Sequence, residues 1–104
     1  MIVRVWRAHT KEPGATAYRR HLEQTVLPQL RSMPGFISVT LMQAERGGRV
    51  ELVVASGWES MDAVRAFAGP TPEIAVVEPG AKKVLDEFDD HVTHYEMILE
   101  AGLR

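Results

Sequence analysis

The order in which apolar periodicity changes along the chain predicts an α+β domain. Three observations carry it. Ile2 to His9 (IVRVWRAH) is rich in β-branched and aromatic residues, Tyr18, Leu22, Val26 and Leu30 recur at helical spacing, and two alternating runs meet at Gly47-Gly48. With a second short helix and a closing strand the order is βαββαβ.

Each element has its own local reason. The first strand presents Ile2, Arg4, Trp6 and Ala8 on one face and Val3, Val5, Arg7 and His9 on the other. Thr10 to Gly14 breaks the pattern, and a helix is expected from Ala15 to about Ser32, with Arg19, Arg20, Glu23 and Gln24 on its polar side. Pro28 lacks an N–H and crowds the preceding turn, so a kink is expected near Leu27. Phe36 to Glu45 and Val50 to Trp58 read as strands of a hairpin, since adjacent glycines tolerate positive φ. Ser60 is placed to cap a helix carrying Met61, Val64 and Phe67, stopped by Gly69-Pro70. Thr71 to Gly80 holds two prolines and no regular element, Pro79 to Glu87 offers a helical turn or two, and Asp90 to Leu99 reads as the last strand.

Right-handed crossovers fold this order into a ferredoxin-like sheet with both helices on one face, the last strand beside the first and the second strand outermost. Val50 to Trp58 is apolar on both faces, more than one layer of helices can cover. Packing against a second copy through a twofold axis removes the surplus, which predicts a homodimer.

Composition narrows the function. The chain has 104 residues, one domain by size, with 12 Lys and Arg against 14 Asp and Glu for a net charge of −2. No basic stripe favours nucleic acid, and no apolar run is long enough to span a membrane. Absence of cysteine removes disulfides, thiolate nucleophiles and thiolate metal sites. There is no phosphate-cradling glycine motif and no nucleophile elbow, so nothing favours a nucleotide, flavin or nicotinamide cofactor. A soluble, cytoplasmic protein is expected.

IVRVWR, the MPGF turn, GWES and VTHYEM together resemble the dimeric α+β-barrel family of antibiotic-biosynthesis-type monooxygenases, over Ile2 to about Met97. That resemblance implies a cavity between helices and sheet in each protomer. It also implies either cofactor-free oxygenation of an aromatic or quinol-type molecule or a non-catalytic, ligand-binding or stress-associated role. Trp58 of GWES matches a tryptophan that lines the cavity in active relatives; the plain alternative is a core tryptophan. Arg7, matched by ungapped count from the N-terminus, falls where haem-degrading relatives use an amide and could hold an oxyanion; otherwise it is an exposed cation. His94 could accept a phenolic proton, or serve as a structural histidine at the dimer interface. Tyr18, Phe67 and Val54 are the expected apolar wall for a small aromatic ligand. His9, His21 and His91 are expected at the surface. His91 and His94 turn to opposite sides of a strand, so no metal site is expected. The second helix lacks the histidine by which haem degraders hold iron. An interior filled by Trp58, Tyr18, Phe67 and Met61 would leave an interaction module, whereas an enclosed space of ~300 Å³ or more would favour a ligand.

Overall fold

A computed structural model describes residues 1–103. In chain order it contains β1 (Ile2–Thr10), α1 (Glu12–His21), a π-helical turn (Leu22–Val26), α2 (Leu27–Arg31), β2 (Phe36–Arg46), β3 (Arg49–Trp58), α3 (Met61–Ala68), α4 (Pro79–Lys82), β4 (Glu87–Phe88) and β5 (Thr93–Glu96). The sheet runs β2-β3-β1, and the far side of β1 carries β4 and β5, every pairing antiparallel. This is the predicted α+β, ferredoxin-like arrangement. Within one chain the sheet is open and does not close into a barrel.

Alternation on β1 decides which side chains can meet. Arg4, Trp6, Ala8 and Thr10 are buried, and across the strand pair they face Ser56, Val54, Leu52 and Val50 of β3. Ala15, Tyr18 and Leu22 pack over Trp6, Ala8 and Leu52 to form one core, while Leu30, Trp58 and Val64 centre a second. The opposite face carries Val3, Val5, Arg7 and His9 against Gly57, Ala55, Val53 and Glu51, with Met42 and Tyr95 about half exposed at 48% and 51%. Nothing among the described residues covers it.

Pro28 produces the expected irregularity, displaced one turn upstream. With no N–H at Pro28, the helix widens, and Leu27 N–H bonds Leu22 C=O to close the π turn. The hairpin glycines adopt φ of +57° and +80°, and the Ser60 hydroxyl accepts from Ala63 N–H at 3.2 Å.

The last strand departs from expectation. Asp90 to Leu99 is not one strand: pairing stops after Phe88 and resumes only at Thr93, so four residues bulge out opposite Trp6 and Arg7. The bulge reaches the irregular segment before α4. Ala75 N–H donates to Asp90 C=O and Val92 N–H to Glu73 C=O, both at 2.8 Å. Residues 70–78 thereby become a flap across the helix side of the sheet, secured at its middle. Among the described residues no helix is long and apolar enough to cross a membrane.

Candidate functional site

Between flap, helices and sheet lies a cavity of about 80 Å³. β1 supplies Arg4 and Trp6, β3 supplies Val54 and Ser56, α1 supplies Tyr18 and His21, and α3 supplies Phe67. Val76, Val77 and Glu78 of the flap line its remaining side. The volume falls below the ~300 Å³ expected of a drug-sized pocket. The interior is nonetheless not solid.

Most of the wall is apolar and aromatic. Trp6 is fixed by its indole N–H, which donates to Asp89 C=O at 2.8 Å, and lies 5.9 Å from the Tyr18 ring. Burial, followed by the charge of Glu78, pushes the Tyr18 phenol up to about 12, so it stays a neutral donor at physiological pH.

Arg4 is the cavity's one fixed cation, only 5% exposed. It donates through Nη1 to Pro72 C=O and through Nη2 to Ile74 C=O at 3.1 Å, tying the flap to the central strand. Its Nη1 also lies 2.9 Å from His94 Nε2. Arginine can only donate, so that imidazole nitrogen is the acceptor. His94 is held below the usual histidine value by burial first and the Arg4 charge second, with Glu73 acting in the opposite sense. Burial likewise lowers Arg4, and Glu73 offsets part of that effect. The guanidinium carbon stands 5.8 Å above the Phe67 ring.

His21 is a further polar group in the wall. Its Nε2 is buried without a hydrogen-bond partner among the described residues. Gly80 makes this position reachable: a Cβ there would lie 3.0 Å from the imidazole ring.

Tyr18, Phe67 and Val54 line the cavity. Trp58 stands behind it, fully buried, stacked 5.2 Å from Phe67 and edge-on to Phe36 at 5.5 Å, with its N–H donated to Ser56 Oγ. His94 sits behind Arg4, its acceptor nitrogen already engaged. Arg7 must be corrected: it is exposed on the uncovered face opposite Val53, because alternation turns it away from Arg4 and Trp6. His21, expected at the surface, belongs to the wall. Its spacing of three from Tyr18 on α1 is the signal that places it there. For haem the residues do not fit, since α3 holds no histidine and a tetrapyrrole far exceeds the space present. Among the described residues no group of His, Asp and Glu could hold a metal ion.

Comparison with curated protein sequences finds no match. Solved structures share the fold. One is a candidate antibiotic biosynthesis monooxygenase from Deinococcus radiodurans (TM-score 0.65, 14% identity, covering 100% of this chain and 99% of that one). Another is the heme-degrader MhuD from Mycobacterium tuberculosis with two hemes bound in its active site (0.62, 20%, 98% and 100%). A third is the monooxygenase from the ActVA-Orf6 gene of Streptomyces coelicolor in complex with nanaomycin D (0.62, 18%, 99% and 90%). The family model described as antibiotic biosynthesis monooxygenase matches residues 1–71, which span β1 through α3 and most of the cavity wall. The chain belongs to the antibiotic biosynthesis monooxygenase family.

Proposed function

We propose that the protein is a small monooxygenase that admits an aromatic or quinol-type molecule to the cavity between helices and sheet and works as a homodimer. The observation that carries this reading is the unpartnered His21 Nε2 in a mostly apolar and aromatic wall, within a chain of this family. A neutral imidazole in that place can take the proton of a phenol or an activated ring CH₂. The resulting anion is electron-rich enough to reduce dioxygen itself. For an activated ring CH₂ the balance is CH₂ plus O₂ giving C=O plus water. One oxygen atom enters the product, the other leaves as water, and the substrate supplies all the electrons, so the reaction needs no cofactor. Apolar walls exclude bulk water and keep the anion from reprotonation.

Oxygen uptake with two single-ring quinol-type probes, catechol and hydroquinone, tests the reading. Uptake above buffer is expected, falling about 10²-fold in His21→Gln and within about twofold of wild type in Arg7→Gln. No uptake with either compound removes the enzymatic claim. The small volume favours a second reading, a ligand-binding protein without turnover, and binding without oxygen uptake would select it.

A further inference from the structure

Arg4 is a buried cation whose shell is incomplete. Among the described residues no carboxylate is ion-paired with it, the ion pairs being His9–Glu51, Arg19–Glu23, Arg49–Glu87 and Arg65–Asp62. Its contacts are two backbone carbonyls and one imidazole nitrogen, all neutral, and they occupy three of a guanidinium's five N–H groups. Nε–H and one Nη2–H remain without a hydrogen bond. Glu73 acts on the guanidinium without forming an ion pair, and a largely desolvated charge with no anion in contact is costly. The group whose geometry suits a guanidinium fork is an oxyanion.

We propose that Arg4 is the recognition residue of this cavity and that its ligand is a small aromatic acid, one ring carrying a carboxylate or an enolate oxygen. This rests on the ligand-cavity reading above and adds charge, size and orientation to it. The size follows from the 80 Å³ of free space, roughly three waters' worth, which leaves room for no more than one ring. Orientation follows from where the one guanidinium of the lining sits. Arg4 lies toward the start of β1 with Phe67 beneath its guanidinium, where a flat acid can stack. One inward position further along β1, Trp6 meets Tyr18, and the Glu78 charge acts on Tyr18. An acidic residue bears on each end, Glu73 on Arg4 and Glu78 on Tyr18, but only the first end carries a guanidinium in the lining, so the acid group faces Arg4 and the remainder of the ring faces Tyr18 and His21. His94 completes the arrangement as a positioning residue: its neutral nitrogen holds Nη1 in place without adding a competing negative charge.

The test compares benzoate with benzamide, nearly equal in shape and different in charge. Affinities are read by ¹H–¹⁵N correlation spectra of the wild type, Arg4→Gln and Arg4→Lys, with the Arg4 Nε–H signal as a local reporter. In wild type, benzoate is expected to bind at least about tenfold more tightly than benzamide and to move the Nε–H signal, which benzamide leaves in place. Arg4→Gln should bring the ratio to within about twofold of one, and Arg4→Lys should leave it between. The ratio is the readout because loosening the flap would move both constants together. Equal binding of the two probes, with signals around Phe67 and His21 shifting for both, overturns Arg4 as the recognition residue and leaves the ligand cavity standing. Benzoate preference that survives Arg4→Gln overturns it equally. If neither probe shifts any cavity signal at about 10 mM, this proposal and the cavity reading fall together. Should Arg4→Gln not fold, the wild-type ratio and Nε–H shift still decide.

Discussion

At Trp58 the fold and the site share one side chain. It donates to Ser56 on its own strand and stacks against Phe67, whose other surroundings include the cavity. Trp58→Ala should cost about 3–5 kcal/mol in urea denaturation, the usual range for emptying a buried aromatic position. A loss below about 1 kcal/mol would show that the second core does not depend on it. His94 gives the pH dependence. Held below its ordinary value of 6.5, it resists protonation in the fold, so the unfolded chain binds more protons in mild acid. Its contribution is complete above that value and is lost as pH falls below it. Melting temperature should therefore drop between about pH 7 and pH 5, and the drop should be shallower in His94→Gln. Parallel pH profiles for the two proteins would contradict this.

The hairpin and the final strand show what a single sequence can and cannot convey about an element. Gly47 and Gly48 were readable because the requirement is local: both need positive φ, and an added Cβ at either meets nothing within 4 Å. Gly48→Val should thus cost about 1–2 kcal/mol in urea denaturation from backbone strain alone, while Gly47→Asn, in left-handed helical geometry, should cost less than half of that. Alternation also placed Arg4 beside Trp6 on one face of β1. Selecting Arg7 instead followed a residue count from the N-terminus, and sheet geometry outranks such a count. His21 was missed: its spacing of three from Tyr18 was there to use, but a histidine among arginines and glutamates reads as surface until the flap is placed over it. That placement was not available locally. Asp90 to Leu99 alternates well enough to be a strand throughout, yet Val92 and Asp90 bond residues of the flap, far away in sequence. No periodicity within ten residues reports a contact of that range.

Across the whole molecule the unsolved surface is the bare side of the sheet. Val3, Val5, Val53, Ala55 and Met42 form an apolar field edged by Arg7, His9 and Glu51, with His9 and Glu51 3.5 Å apart. A second copy placed there would bury this field through a symmetric contact. Light scattering should give twice the 11.6 kDa chain mass at micromolar concentration, and Val53→Lys should return the monomer with unchanged far-ultraviolet dichroism. A wild-type monomer under those conditions would end the dimer proposal. The interrupted last strand has a consequence of its own. The N–H groups of Ala75 and Val92 both bridge the seam between flap and bulge, so neither can meet deuterium unless the seam parts. Their isotope uptake should rise and fall in step, a clock for how often the chamber breathes.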